Sequence, residues 1–457
     1  GAKDIHAVVL DHGLDETRSR RVLKAYFSVW NAVSEVSSMQ HNAAPSSAAR
    51  SALFGKPGAS LMGVFGGQLG SATYLDEARW LLDVYAPLVS DFVAQMTAFL
   101  CHEAQDSRMS SAYFKGINVL QWLTHAESTP NEQYLLSMPV CLPLLGLVQL
   151  MQVMILYKTL GISPGELVVR FKVVTGHSQG IAVATAFSML TDEQSFYNIA
   201  RKILGIQMLT GVLPQAEFPC FKLIQCTNGS RPEPTSSEPR PMVAVQGVSR
   251  QVLEAIICKF NSGQPSPKHH MHMAVINTAD QFIVAGHIES ATLFIQFVRA
   301  RSARSSDNQS RIPMSQRKPL IIVHYLGITA PYHSPLLSDM AREILEIVRK
   351  KQWVLEGSDL KIAVRATEDG HDIRSEHDLT KYLVESMCKL PVDWPRAVNH
   401  VGISHIVDFG AGGFGGFGKL AFKNLEGRGI PVVCAGALVP RRSQPQMGAK
   451  ADLYRSK

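Results

Sequence analysis

The spacing of apolar residues changes several times along the chain. Thr17–Val33 (TRSRRVLKAYFSVWNAV) is spaced for an amphipathic helix whose basic first half forms a solvated outer face. Asn42–Ser51 is small, polar and Pro-containing, a linker composition. Ala59–Gly67 (ASLMGVFGG) is a continuous apolar run closing on two glycines, which predicts a buried strand entering a tight turn. Helical periodicity then runs from about Tyr74 to Glu103. Leu167–Thr175 is β-branched and predicts a strand. Gly176-His-Ser-Gln-Gly180 interrupts it, and the small apolar run Ile181–Leu190 predicts a buried helix. Two loop-like stretches follow: turn-rich Thr227–Pro241 and the basic, Ser-rich Arg299–Lys318. Between and just after them the pattern reads as a strand (Met242–Val248), a helix (Ser249–Gly263) and a hairpin (Met271–Gly286) turned at Thr278–Asp280. A second helix (Glu289–Ala303) and a last strand (Pro319–Leu326) complete it. This strand-helix-strand-strand-helix-strand order is ferredoxin-like.

The expected architecture is therefore α/β: a large core with a ferredoxin-like lobe inserted in it. Its expected bounds are 1–58 for an N-terminal helical and linker region, 59–240 and 319–440 for the core, 241–318 for the lobe, and 441–457 for a linker to a following domain. No internal repeat is evident.

The 25 residues from Gln133 to Tyr157 carry no charge, long enough to cross a bilayer. Pro139, Pro143, Gln149 and Gln152 interrupt the run and a polar stretch precedes it, so a buried core helix starting near Pro143 is favoured over a membrane span. Asp4, His6, Asp11 and His12 break up any secretory leader.

At 457 residues, 46% apolar and 18% charged, the chain has ample core and is not a disordered polymer. Seven scattered Cys without a C-x-x-C pair indicate neither a disulfide framework nor a zinc ribbon, and fit a cytoplasmic location. The net charge of +7 favours an acidic partner without demanding nucleic acid. The basic 299–318 tract lacks interleaved aromatics, so it reads as a loop, with docking of an acidic protein as the alternative. His269, His270 and His272 lack acidic or Cys partners at metal spacing, so no metal is expected. Gly410–Gly418 lacks the Lys-Ser/Thr of a phosphate loop and reads as a packing turn.

The chemistry concentrates at Gly176-x-Ser178-x-Gly180. A serine on a turn too tight for a neighbouring Cβ projects into a cleft, and the helix that starts there aims amides at developing charge. The alternative is a structural glycine turn with an incidental serine. The hydroxyl needs a base, and His333, in Ala330-Pro-Tyr-His-Ser-Pro335 directly after the strand that closes the lobe, is the candidate. His177 should point elsewhere. An oxyanion hole needs two amides: Gln179, after the serine, and one from Phe65-Gly-Gly-Gln68.

With these residues the sequence resembles the acyltransferase family of fatty acid and polyketide synthases. Phe65-Gly-Gly-Gln68 resembles its F-G-G-Q element, Gly176–Gly180 its G-H-S-x-G motif, and Ala330–His333 its catalytic-His motif. Asn277 matches N-x-x-x-x-x-V-x-G, Asp408–Gly413 resembles D-F-G-P-G-G with Ala411 replacing Pro, and Pro391-Val-Asp-Trp394 resembles P-V-x-W. The match runs from about residue 55 to 440. Gln after the serine is similar to the acetyl transferase of the fungal fatty acid synthase β chain and to starter-unit acyltransferases. The C-terminal segment resembles the linker to a ketosynthase in fungal non-reducing polyketide synthases, whose starter-unit:acyl-carrier-protein transacylase domain is the expected identity.

The resemblance implies an α/β-hydrolase-like core and a ping-pong transacylase. Ser178 is the nucleophile, His333 the base, and the Gln68 and Gln179 amides the oxyanion hole. Asp393 would orient His333, through its main chain in preference to its carboxylate. Ile206, Thr210 and Asn277 would line the substrate pocket. Malonyl-specific relatives clamp the substrate carboxylate with an Arg where Thr210 stands. No Arg occurs between Lys202 and Gly229, so the acyl group should be uncharged. No cofactor should be bound to the chain itself. The expected partners are an acyl carrier protein presenting a phosphopantetheine thiol, a donor (a fatty acid synthase, a reducing polyketide synthase or a CoA thioester) and a covalently linked ketosynthase, with neither nucleic acid nor membrane. The alternatives are an acyl transferase of a fungal fatty acid synthase, a thioesterase or esterase, and a decommissioned docking domain.

Overall fold

The computed structural model describes residues 4–37, 53–55, 59–68, 70–218, 238–303, 309–313 and 316–454. The expected linker at 42–51, most of the turn-rich 227–241 stretch, and residues 304–308 and 314–315 of the basic tract lie outside the described residues. Eleven strands are present among those described: β1 (Leu61–Phe65), β2 (Phe171–Gly176), β3 (Met242–Gln246), β4 (His272–Thr278), β5 (Gln281–Ala285), β6 (Ile322–Tyr325), β7 (Ala363–Arg365), β8 (Val392–Asp393), β9 (His405–Asp408), β10 (Val432–Cys434) and β11 (Met447–Ala449).

The larger sheet has the order β11-β10-β9-β1-β2-β7, and all its pairings are parallel. Its central strand β1 is buried along its whole length, as a parallel strand covered on both faces must be. The smaller sheet has the order β6-β3-β5-β4-β8. Its first four strands are antiparallel neighbours in ferredoxin-like order. The pleat divides them: Val243, Val245, Phe282 and Val284 enter a separate small core, whereas Met242, Val275 and Ile283 face the opposite way, into a cleft against the large sheet's side.

The structure departs from the expected bounds in three places. β6 pairs with β3, so the smaller sheet runs past residue 318. β8, from the Pro391–Trp394 segment, adds a parallel fifth strand beside β4. Met447–Ala449 is no linker: it is the edge strand β11, and Lys450 beyond it is fully buried.

The uncharged stretch forms the helix Met138–Leu160, buried at every position from Met138 to Tyr157. It and Thr73–Glu103 are long and apolar enough to cross a membrane, and the most apolar window of the first is wholly enclosed by protein. The helix begins five residues before Pro143 rather than at it. Proline at 143 removes the donor that Pro139's carbonyl would accept, and Tyr113 supplies a substitute, its hydroxyl donating to Pro139 O at 2.8 Å. The strand expected from Leu167 starts at Phe171. A capping box between Ser163 and Glu166 turns Pro164–Val168 into a helical turn first.

Candidate active site

β2 runs into Gly176, and the helix Gly180–Ser188 leaves immediately after Ser178. Ser178 sits at φ 54°, a left-handed conformation that L-residues avoid. Its surroundings enforce it. A Cβ on Gly176 would collide with the Gly180 backbone, and one on Gly180 with the carbonyl of Phe65. His177 N–H donates to Phe65 O at 2.8 Å, fastening the turn to the end of β1.

Ser178 Oγ donates to His333 Nε2 at 2.7 Å, across 155 residues of sequence. His333 is also held at positive φ, 57°, with its N–H on the carbonyl of Cys388 at 2.7 Å. Its Nδ1 lies 2.8 Å from the carbonyl of Leu390. A carbonyl only accepts, so Nδ1 carries the proton and Nε2 is the free base facing serine. Burial pushes the imidazole down to about 4, so it is neutral near pH 7.

The group that orients His333 is therefore Leu390, not Asp393. Asp393 N–H donates to Thr367 O at 2.7 Å. Its carboxylate accepts from Arg250 at 3.1 Å and caps the following helical turn at Arg396 N, 3.2 Å away. In β8 beside β4, its side chain is committed to holding the first helix of the lobe, through Arg250, against the helical turn that follows β8.

Gly66–Gln68 lies directly over the elbow. A Cβ on Gly67 would come within 2.9 Å of His177 O and 3.3 Å of Ser178 Cβ, so only glycine allows this approach. Gln68 and Gln179 both line the cleft, and among the described residues neither backbone N–H donates to a protein acceptor. Two free amides beside a nucleophile form an arrangement able to receive an oxyanion.

The cleft encloses about 210 Å³ and is mostly apolar, with Leu136, Met138, Leu142, Leu326, Ile328, Met387 and Leu420 among its walls. No Arg or Lys lines it among the described residues. Thr210 does, but its hydroxyl donates back to Ile206 O at 2.8 Å, so it offers no free donor to a ligand. Ile206 is buried one turn away without reaching the cleft, because a helical residue four positions back lies under Thr210 rather than beside it. Asn277 lines the cleft and also fixes His177: His177 Nε2 donates to Asn277 Oδ1 at 2.9 Å. Burial pushes His177 down to about 3, and its ring packs on Phe417.

The residues that sequence reasoning missed act through their backbone or as plain aliphatics. The Leu390 carbonyl carries no residue-type signal, and Met387 looks like any other core methionine. Outside the cleft, Glu368, Asp369 and His371 bring ligand-type atoms within 4.8 Å of one another. Both imidazole nitrogens there are already engaged, by Asp369 at 2.7 Å and Glu376 at 2.9 Å.

A family model described as "Starter unit:ACP transacylase in aflatoxin biosynthesis" matches residues 63–319. The fatty acid synthase subunit beta of Schizosaccharomyces pombe is 33% identical over 453 residues, 99% of this chain and 21% of that protein. The fatty acid synthase beta subunit aflB of Emericella nidulans is 32% identical over 95% of this chain and 20% of that protein. The chain thus spans between a tenth and a fifth of the length of such relatives. Among solved structures, the malonyl-CoA:acyl carrier protein transacylase of Xanthomonas oryzae pv. oryzae has a TM-score of 0.53 at 18% identity, covering 84% of this chain and 95% of that one. The acyltransferase domain from the second module of the salinomycin polyketide synthase has a TM-score of 0.51 at 14% identity, covering 87% and 72%. At these identities the likeness establishes a shared fold.

Proposed function

This chain belongs to the starter unit:ACP transacylase family and is an acyltransferase, and from that premise we propose that it loads an uncharged acyl starter onto the phosphopantetheine thiol of an acyl carrier protein, by way of an acyl-Ser178 intermediate. The observation that carries the reading is the 2.7 Å contact between Ser178 Oγ and a neutral His333 at the edge of an apolar cleft whose described lining holds no Arg or Lys.

In the first half-reaction, Ser178 Oγ attacks the thioester carbonyl while its proton passes to His333 Nε2. The Oγ–C bond forms, and the negative charge moves to the carbonyl oxygen, held by the Gln68 and Gln179 amides. Collapse breaks the C–S bond, and His333 returns the proton to the departing thiolate. The acceptor thiol then enters and the steps run in reverse. Leu390 stabilises the imidazolium by accepting from Nδ1, and losing one amide donor from such a hole costs roughly 3 kcal/mol.

The donor is an acyl thioester on a carrier protein or CoA, and the chain works in the cytosol within a larger synthase. A ketosynthase covalently attached downstream is the expected neighbour. Similarity to fungal fatty acid synthase β subunits along nearly the whole chain supports a second reading, an acyl transferase serving such a synthase. The two readings share a mechanism and differ in the acceptor carrier protein.

Intact-mass analysis tests the proposal. Incubation with an acetyl or hexanoyl thioester is expected to give a single acyl adduct that maps to Ser178, is absent in Ser178→Ala, and moves to a holo carrier protein. Malonyl thioester is expected to react roughly 100-fold more slowly or worse, since its carboxylate would be buried without a cation. An adduct on another residue, or equal malonyl labelling, would refute the proposal.

A further inference from the structure

Behind the elbow, three buried glutamine side chains meet. Gln149 Nε2 and Gln179 Nε2 both donate to the carbonyl of Gly66, at 2.8 and 3.0 Å. Gln207 Nε2 donates to Gln179 Oε1. The direction of each amide is forced. Gly66 O only accepts, so Gln179 turns its nitrogen toward it and its oxygen toward Gln207, which must then present a nitrogen. Among the described residues the Gln149 and Gln207 oxygens have no hydrogen-bond partner, so these side chains keep their places without full satisfaction of their own polar atoms.

A second, independent feature points the same way. Position 146, in the interior of the helix Met138–Leu160, is glycine, a residue that weakens a helix. A Cβ there would collide with the Gln207 carboxamide. The helix thus carries a glycine where the amide needs room.

We propose that Gln207 is a positioning residue for acyl transfer: through Gln179 it locks the Gly66 carbonyl, and so fixes the spacing between the Gln68 and Gln179 amides. Gln179 belongs to the elbow and Gly66 to the loop over it. One side chain bridging the two turns the halves of the oxyanion hole into a single rigid unit. Gln207 itself does not line the cleft. This inference rests on the acyl-Ser178 reading above.

The test uses the whole chain with a short acyl thioester, measuring single-turnover acylation of Ser178. Gln207→Met keeps the bulk but has no donor, and Gly146→Ala displaces the carboxamide without altering any polar group. Both are expected to lower the maximal acylation rate by about 10-fold or more, with half-saturation and pH profile unchanged, because neither the cleft wall nor the Ser178–His333 pair is touched. In a Gln179→Met background, Gln207→Met should cost little more, since its effect passes through Gln179. Acylation by both variants at the wild-type rate, a loss confined to half-saturation, or full additivity with Gln179→Met would overturn the inference while leaving the acyl-Ser reading intact. Absence of an adduct in the wild type would overturn that reading instead.

Discussion

His333 is a base that never needs to be unloaded. Burial keeps it neutral down to about pH 4, so kcat/KM for acylation should be flat from about pH 5 to 8 and fall only as the pH drops through about 4. A break near 6.5, the value of a solvated imidazole, would show that the ring is not enclosed as described. The same shift acts on stability. Between about pH 6.5 and 4 the unfolded chain takes up a proton at position 333 that the folded chain refuses, so His333 favours the fold at neutral pH and that contribution is lost on acidification. Asp393 supplies the contrast. With its carboxylate on Arg250 and Arg396, Asp393→Asn should change the acylation rate by no more than about 3-fold, against the roughly 10⁴-fold expected if it held the imidazole tautomer. Ser178 and His333 were legible because their side chains are their function and their neighbouring glycines and prolines mark the turns that present them. The group orienting His333 was not, because every residue has a carbonyl and only the folded path of the chain selects Leu390.

At the scale of elements, the helix Met138–Leu160 was legible from its missing charges, whereas its start was not. Local rules place Pro143 at a helix beginning. The hydroxyl of Tyr113, a residue from elsewhere in the chain, makes it tolerable in the interior. Tyr113→Phe should leave Pro139 O buried and unpaired, costing about 1–3 kcal/mol. A drop of several degrees in the thermal midpoint with near-normal acylation is the expected outcome, and an unchanged midpoint would mean that the carbonyl finds another donor. The ferredoxin-like lobe was readable because each strand alternates and each helix is amphipathic. Its fifth strand was hidden: Val392–Asp393 is too short to have a period, and it becomes a strand only by lying beside β4. For the elbow, Gly180→Ala should abolish both folding and labelling, since the added methyl would meet the backbone of β1's last residue.

Across the whole molecule, the C-terminal segment that resemblance marked as a linker closes the fold. β11 extends the large sheet, and Tyr454 stacks on His6 with ring centroids 4.0 Å apart, tying the two ends of the described chain together. Lys450 Nζ is buried and, among the described residues, has no hydrogen-bond partner; it lies near Glu77, whose carboxylate holds Gly412 N–H at 2.8 Å in the glycine turn beneath the cleft. Burial pushes the Lys450 ammonium down and the Glu77 carboxyl up. A polar sequence gave no hint of this, since lysine is almost never fully buried. Truncation after Gln446 should lower the urea midpoint markedly and reduce acylation with it, and a truncated chain of unchanged midpoint would contradict the assignment. The inserted lobe is joined to the rest of the chain as firmly as the ends are joined to each other. β8 lies on β4, Arg250 meets Asp393, Lys423 meets Asp280 at 2.9 Å, and Asn424 donates to Asn277 O at 2.8 Å. A chamber stitched shut along its seam has the character of a bored hole, not of a pair of jaws. If it takes uncharged starters as proposed, it selects among them by calibre and depth, and that preference can be re-cut by changing the residues on its walls.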